Sequence, residues 1–308
     1  MAYDVIGDVH GQADRLEALL LKLGYQHQRG AWRHPERTVL FVGDLIDRGA
    51  HQVRTLQLAR SMIDAGSARA TMGNHEFNAI AWATPDPQNA EHYLRPRHGD
   101  KGTKNRRQHQ AFLTDVGEDT PEHREWIAWM SELPVWIEEP GFRVVHACWS
   151  PIHVEALRPH LLEGNRLAPE IVEQASRKGH SVHAAIETLL KGEEVSLPEG
   201  YGFADKDGNQ RREIRTKWWD ASLTTYRAAC LGLDPEMVPD QEITGRTPIP
   251  APDRPTFIGH YWLHPESALA PRSQLVACVD YSAGKGGPLV AYQFDGESVL
   301  SEKKFVAA

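Results

Sequence analysis

Residues 39–49 have the sequence VLFVGDLIDRG, in which four apolar residues are followed by a glycine and then by two aspartates and an arginine. A short run of apolar residues that ends at a glycine is typical of a buried strand. Asp44, Asp47 and Arg48 come directly after this strand. Since ligands of α/β proteins bind at the carboxyl ends of strands, the stretch predicts an α/β sheet with a polar site at its edge.

The segments around this strand predict the rest of the fold. Residues 151–192 are mostly helical in pattern, residues 198–255 are rich in glycine, proline and charge, and four strand-like runs lie between Thr256 and Val306, which we expect to complete a second sheet. Apolar residues at helical spacing predict two crossover helices, one with Leu16, Leu19, Leu20 and Leu23, the other with Val53, Leu56, Ala59 and Ile63. We therefore predict one α/β domain over 1–308, with two mixed β-sheets in a sandwich flanked by helices. Residues 151–255 would be a mostly helical insertion that could cap the site.

Composition narrows the class of protein. The 308 residues are 41% hydrophobic, which suffices for a large core. Neither a signal peptide nor a membrane span is expected, since no long apolar run is present. Three scattered cysteines without a CxxC pair favour the reducing cytoplasm over a disulfide framework. The net charge of -8 argues against dedicated non-specific binding to nucleic acid.

Residues that can bind metal ions follow the predicted strands along the whole chain. Because strand ends converge on one crevice, these residues can meet in space. A set of oxygen and nitrogen ligands without a thiolate suits Mn, Fe, Zn, Co or Ni better than Ca. Asp44 could bridge two ions about 3.5 to 4 Å apart, the spacing that serves phosphate ester hydrolysis. The predicted ligands are Asp8, His10, Asp44, Asn74, His146 and His260.

Three motifs, at residues 7–11, 43–49 and 73–76, resemble those of the PPP-type phosphoprotein phosphatases within the calcineurin-like metallophosphoesterases. The resemblance continues to His146, the Gly259-His260 pair and Asp280, and it spans the chain except for the insertion. It implies two divalent ions, with manganese as the first candidate. One ion would be held by Asp8, His10 and Asp44, and the other by Asp44, Asn74, His146 and His260, with Asp44 as the bridge.

The same resemblance implies catalytic roles. His75 would be the general acid, oriented by Asp47, and Arg48 would grip the phosphate. Many of these phosphatases carry an arginine where this chain has Met72, and Arg215 could replace it. Asp280 is a second candidate for substrate binding, with a turn residue as its alternative.

Other features point to a branch of the family. The broader group often has a second histidine two positions after the last ligand, where this chain has Trp262, so the sequence resembles the PPP branch. His264 does not fit that position, and we expect it at the surface or behind the ligands. Residues 1–6 and 23–25 are similar to bacterial asymmetrical dinucleoside-tetraphosphatases and to the phosphatase module of RNA-repair polynucleotide kinase-phosphatases.

Two residue groups have competing interpretations. Tryptophans near the predicted site could stack on a nucleobase or pack in the core; they are Trp149, Trp218, Trp219 and Trp262. A basic run could attract a polyphosphate or RNA end, or form a solvated loop; it consists of Arg95, Arg97, Lys101, Lys104, Arg106 and Arg107.

The sequence thus predicts an enzyme that hydrolyses phosphate monoesters, and by extension diesters or anhydrides, of nucleotides or other small phosphorylated molecules. The absent arginine at Met72 and the acidic net charge motivate this choice of substrate. A phosphatase acting on phosphoserine, phosphothreonine or phosphotyrosine in proteins is the alternative. A non-catalytic binding scaffold is a third hypothesis, which the intact ligand set disfavours.

Overall fold

Two β-sheets form the centre of the molecule in the computed structural model, which describes residues 2–204 and 210–308. The strands of these sheets are β1 Ala2–Ile6, β2 Arg37–Phe41, β3 Ala68–Ala70, β4 Trp136–Glu139, β5 Phe142–Val145, β6 Thr256–Ile258, β7 Val276–Cys278, β8 Val290–Phe294 and β9 Phe305–Ala307. A five-stranded sheet has the order β9-β8-β1-β2-β3, and a four-stranded sheet has the order β7-β6-β5-β4. The predicted pair of sheets is confirmed.

Both sheets are mixed. Strands β1, β2 and β3 are parallel, as are β5, β6 and β7, while β8, β9 and β4 pair antiparallel with their neighbours. Alternate residues turn to the inside of the sandwich, where Val5 and Leu40 of one sheet belong to the same buried cluster as Val144 and Phe257 of the other. The opposite face of the five-stranded sheet packs against helices, because Ile6 and Phe41 belong to the helix-containing core.

Nine α-helices are present in the described residues: α1 Ala13–Lys22, α2 Gln52–Asp64, α3 Asn74–Ala83, α4 Gly99–Val116, α5 Pro121–Ser131, α6 Pro151–Leu157, α7 Val172–Ser176, α8 Ser181–Lys191 and α9 Tyr226–Ala229. The two predicted crossover helices are α1 and α2, and their apolar faces are buried as expected. None of the helices in the described part of the chain has the length and apolar character needed to span a bilayer.

The segment 151–255 lies between β5 and β6 and contains α6 to α9 with short hairpins. Its residues 205–209 fall outside the described structure. The second half has a small apolar cluster of its own, formed by Ile214, Tyr226, Cys230 and Val238. The Arg246 side chain is largely buried and joins this half to the end of α8 through Glu193, with Nη2 2.8 Å from Oε2.

Two expectations are corrected. The four carboxy-terminal strands do not all complete the second sheet, because β8 and β9 extend the first sheet beside β1. The basic run from Arg95 to Arg107 is not a solvated loop over most of its length, since residues 99–116 form α4. Apolar residues of this helix, such as Phe112 and Leu113, face the core, and this packing stabilises a helix whose outer face is charged.

Candidate active site

The predicted ligands meet at the carboxyl ends of β1, β2 and the parallel strands of the second sheet, with the Asp44 carboxylate at the centre. Its Oδ2 atom lies 3.3 Å from His146 Nε2 and 3.7 Å from His10 Nε2. Two groups of side chains have ligand atoms within 4.8 Å of one another and could each hold an ion: His10, Asp44 and His75, and Asp44, His146 and His260. Asp44 is common to both groups, as a bridging residue would be.

Backbone carbonyls fix the orientation of two imidazoles. His10 Nδ1 donates to Ile46 O at 2.8 Å, and His146 Nδ1 donates to Val42 O at 2.9 Å. Each bond leaves Nε2 with its lone pair free to coordinate a cation. Asn74 Oδ1 lies 2.7 Å from His260 Nδ1 and 3.2 Å from His146 Nε2, so the amide sits among these imidazoles.

Several ligand atoms have no hydrogen-bond partner among the described residues although they are buried. They are Asp8 Oδ1, His10 Nε2 and His260 Nε2. Buried polar atoms are normally paired, so each such atom needs an explanation. Three unpaired atoms of the types that bind divalent cations lie close to the Asp44 carboxylate, and bound metal ions would satisfy them. The residues present therefore fit a metal centre.

The charges of the cluster agree with this fit. Burial, together with the carboxylates of Asp280 and Asp44, raises the pKa of Asp8 well above its usual range. Burial alone would also raise the pKa of Asp44, but the imidazoles of His146 and His75 outweigh burial and hold this pKa well below its usual range. Burial lowers the pKa of His10 to about 4, so this imidazole is neutral at physiological pH, the form that can bind a cation. A divalent cation would compensate the repulsion among the carboxylates.

Two glycines of the motifs allow the loops of the site to lie close to one another. A Cβ atom on Gly259 would lie 2.0 Å from Asp8 Oδ1, and one on Gly73 would lie 2.2 Å from Asp44 Oδ1. Either side chain would displace a ligand. The loops are also held in unusual backbone conformations, because non-glycine residues here have φ angles between 48° and 73°; they are His10, Asp44, Asp47, Arg48, His260 and Trp262.

His75, the predicted general acid, is held by a buried carboxylate. Its Nδ1 donates to Asp47 Oδ2 at 2.5 Å, and Asp47 Oδ1 accepts from His109 Nδ1 at 2.8 Å. Burial acts to lower the pKa of His75, but the carboxylates of Asp44 and Asp47 outweigh it, and the net pKa is raised. His109 lies on α4 and was not anticipated from the sequence, where no neighbouring motif marks it.

Glu76 is a second residue that the sequence analysis quoted in a motif without assigning it a role. Its carboxylate is fully buried and accepts 2.8 Å hydrogen bonds from the backbone N–H groups of Gly73, Asp44 and Leu45. The side chain therefore ties the loop after β2 to the start of α3. In doing so it positions both Asp44 and Asn74.

A cavity of about 410 Å³ lies next to the predicted metal site. On the sandwich side its lining includes Arg48, His75, His260 and Trp262. The Trp262 ring stacks on His10, with centroids 5.1 Å apart, and the Arg48 guanidinium carbon lies 5.6 Å from the Trp262 ring centre. The insertion supplies the opposite wall, with Lys178, Glu187, Lys191, Glu194, Arg211, Glu213 and Arg215.

Of the other residues singled out in the sequence, some lie at the cavity and others are buried in the core or exposed at the surface. Trp149, Trp218 and Trp219 are buried in the apolar core, so only Trp262 of the four lines the cavity. Asp280 is buried, and its oxygens accept from the N–H groups of Trp262 and Ser282 at 2.6 and 2.9 Å. We interpret Asp280 as a residue that holds the Trp262 loop. His264 is exposed, as expected.

The basic run is also divided. Arg95 and Lys104 line the cavity. Arg97 and Arg106 instead pair with Glu118 near the end of α4, with separations of 3.6 and 2.7 Å. Arg107 is exposed and lies outside the cavity lining. Part of the run therefore contributes positive charge to the site, and part stabilises the surface.

Comparisons with known sequences show which family the chain matches. The model of the calcineurin-like phosphoesterases matches residues 1–167, more than half of the chain. The asymmetrical bis(5'-nucleosyl)-tetraphosphatase PrpE of Halalkalibacterium halodurans is 46% identical over 76 residues, 24% of this chain and 31% of that protein. PrpE of Bacillus subtilis is 36% identical over 95 residues, 30% of this chain and 39% of that protein. The chain thus spans about a third of the length of these curated relatives.

A comparison with solved structures agrees at the level of the fold. A cold-active protein tyrosine phosphatase has a TM-score of 0.50 and 22% sequence identity, covering 98% of this chain and 80% of its own. Likeness at this identity shows a shared fold and carries no information on substrate. With the match over residues 1–167, it leads to one conclusion: this chain belongs to the calcineurin-like phosphoesterase family.

Proposed function

We propose that this protein is a dinuclear-metal phosphoesterase that hydrolyses phosphate esters or anhydrides of nucleotides and other small phosphorylated molecules. The observation that carries the proposal is the group of buried, unpaired atoms around Asp44, which lies next to the cavity lined by Asn74, His75 and His260. A metal centre and a proton donor in one cavity are the parts that hydrolysis of a phosphate ester requires.

Two divalent ions are the proposed cofactors, with manganese as the first choice and Fe, Zn, Co or Ni as alternatives for this ligand set. Asp8, His10 and Asp44 would hold one ion, and Asp44, Asn74, His146 and His260 the other. When bound, such ions supply an acidified water and neutralise charge on the phosphoryl oxygens.

His75 is the proposed general acid. Its raised pKa keeps a fraction of the imidazole protonated near neutral pH, and the hydrogen bond from Nδ1 to Asp47 leaves the Nε2 proton to be given to the leaving oxygen. Arg48 and Arg215 line the cavity and would bind phosphate oxygens, since a guanidinium matches their geometry. Asp47 would fix the orientation of the acid.

The substrate class is supported by the insertion, which we propose acts as a cap. Its wall faces Asn74, His75 and His260 across the cavity. A second cleft of about 430 Å³ shares Lys104, Arg211 and Arg215 with this cavity and adds the apolar side chains of Phe203 and Leu231. Cations next to an apolar surface suit a nucleotide, because its phosphates can bind to the cations and its base can pack against the apolar surface. The names of the PrpE relatives point the same way.

The test is turnover by manganese-loaded protein on para-nitrophenyl phosphate, diadenosine tetraphosphate, 2′,3′-cyclic nucleotides and a phosphopeptide. We expect a nucleotide to be preferred by tenfold or more, whereas preference for the phosphopeptide would make this a protein phosphatase. His75→Asn should lower turnover roughly 10²- to 10⁴-fold with metal content unchanged, because a general acid is lost. A metal-loaded wild-type protein inert on every substrate would refute the proposal and favour a binding scaffold.

A further inference from the structure

Arg95 is held in the cavity by two neutral side chains. It lies in the segment between α3 and α4, where its backbone N–H donates to Ala81 O at 3.0 Å. The guanidinium donates from Nη1 to Asn78 Oδ1 at 2.6 Å and from Nη2 to Gln108 Oε1 at 2.9 Å. Its Nε is buried and has no hydrogen-bond partner among the described residues.

The two amide side chains place the guanidinium beside the proposed acid. Asn78 is three residues after His75 on α3, and residues at this spacing share one face of a helix. Gln108 directly precedes His109, the residue on α4 that donates to Asp47. Arg95 is thus bracketed by neighbours of both imidazoles that bind Asp47, and all of these side chains line the same cavity.

The charge of Arg95 is not matched by a direct ion pair within residues 2–204 and 210–308. Asp47 and Glu187 act on it only through space. Both oxygens of Asp47 already accept from histidines, and Glu187 pairs with Lys191. Arg97, two residues on, is by contrast paired with Asp119 at 2.9 Å. A guanidinium that is largely removed from water is normally paired with a carboxylate, so the half-buried and unpaired Arg95 is suited to bind an anion that enters the cavity.

We propose that Arg95 is a third phosphate-binding arginine of this site, which binds the phosphoryl group being cleaved through the guanidinium N–H groups that Asn78 and Gln108 leave free. The proposal rests on the proposed function, because it assumes that a phosphoryl group enters the cavity. Met72 cannot take this part, since it is buried and apolar. Asn78 and Gln108 would be positioning residues, which keep the guanidinium plane turned to the phosphate.

The test compares Arg95→Gln and Arg95→Lys with Arg107→Gln, which removes the same charge from an exposed site outside the cavity. For Arg95→Gln we expect kcat/KM on para-nitrophenyl phosphate to fall roughly 10- to 100-fold, the loss of a charged hydrogen bond. The inhibition constant of inorganic phosphate should rise by a similar factor. Guanidinium chloride at low concentration should restore part of the activity, while two bound metals and the Tm stay unchanged. Arg95→Lys should be intermediate.

Unchanged phosphate affinity in Arg95→Gln would overturn the proposal, as would an equal loss in Arg107→Gln. A large fall in Tm without rescue by guanidinium would show that Arg95 only joins α3 to α4. If the wild-type protein hydrolyses no ester, calorimetric titration of the metal-loaded protein with inorganic phosphate still gives a result. Binding of phosphate that depends on Arg95 would then support this site while the proposed reaction fails, and absence of binding would overturn both.

Discussion

At the scale of single residues, Asp47 lies between the imidazoles of His75 and His109 and would orient His75, the proposed acid. Burial acts to raise its pKa, but His109 and His75 outweigh that effect and hold the pKa below its ordinary range. Asp47 is therefore an anion at every pH at which the enzyme would work. Because His75 has a permanently charged carboxylate as its partner, its pKa is raised above the value of about 6.5 that is usual for histidine.

A first prediction concerns pH. The acid works when His75 is protonated, so activity is lost as the pH rises through its raised pKa. Asp47→Asn removes one of the charges that raise it, and we expect the alkaline limb of kcat/KM to move to lower pH. Profiles on para-nitrophenyl phosphate over roughly pH 5–8 would measure this shift. The control is Asp100→Asn, an exposed carboxylate of α4. An unmoved limb would assign the titration to another group.

Single residues also show where sequence analysis stops. The ligands could be predicted because each follows a strand within a short motif, and the structure brings them together. His109 could not, and Arg95 was noted only as part of a basic run, because what sets these two apart is their contacts with Asn78, Gln108 and Asp47 across two helices. Glu76 stands inside a motif, but its three backbone partners become visible only once β2 and β3 are adjacent.

At the scale of elements, the start of α3 acts as the junction of two loops. Glu76 lies in the first turn of this helix, and its carboxylate also binds N–H groups after β2. A carboxylate near a helix amino terminus is favoured by the positive end of the helix dipole. The junction therefore holds Asp44 and Asn74 at a fixed separation before any ion arrives.

Glu76→Gln should loosen this junction. The amide NH₂ group would face a backbone N–H, so we expect a loss of roughly 1–3 kcal/mol in the free energy of unfolding. Metal affinity should fall about 10- to 100-fold, as for other residues that support ligands. Denaturant unfolding and metal titration would measure the two effects. Glu125→Gln, on the exposed surface of α5, is the control. Unaltered metal affinity would contradict the positioning role.

Elements with one apolar face, such as α1 and α2, could be predicted from spacing alone. The helix α4 could not, because its first turns are charged and its buried residues lie mainly in its second half. The sheet membership of β8 and β9 was also beyond the sequence. A strand pattern shows which side chains are buried, but it does not identify the neighbouring strand.

At the scale of the whole molecule, the second half of the insertion is joined to the end of α8, in its first half, by an ion pair between two largely buried side chains. Arg246 donates to Glu193 through Nε and Nη2, and to Leu223 O through Nη1 at 2.8 Å. Glu193 also accepts from the Thr216 hydroxyl. The pair lies between α8 and the hairpin that carries Arg215, so it controls the position of the cavity wall.

Arg246→Met should release this wall, because it leaves the half-buried Glu193 carboxylate without its charged partner, and the cost should be below the roughly 3–5 kcal/mol found when a fully buried pair is broken. We expect faster amide hydrogen exchange across 193–246 and a higher KM for nucleotides, with metal content unchanged. The double variant Arg246→Met, Glu193→Gln should recover part of the loss. If the faster amide exchange were instead confined to residues near β1 and β2, the ion pair would stabilise the sandwich and not the cavity wall.

The left-handed backbone at His10, Asp44, Asp47, Arg48, His260 and Trp262 also limits how this pocket can be redesigned or can drift during evolution. Each side chain there carries a conformational cost that glycine avoids, and that asparagine and aspartate bear more easily than other residues. At Trp262, which is outside the ligand set, a change to valine or isoleucine would therefore be penalised by the backbone as well as by lost stacking. The range of amino acids open to a new specificity at this position is narrow, and variation is easier to accept on the insertion wall.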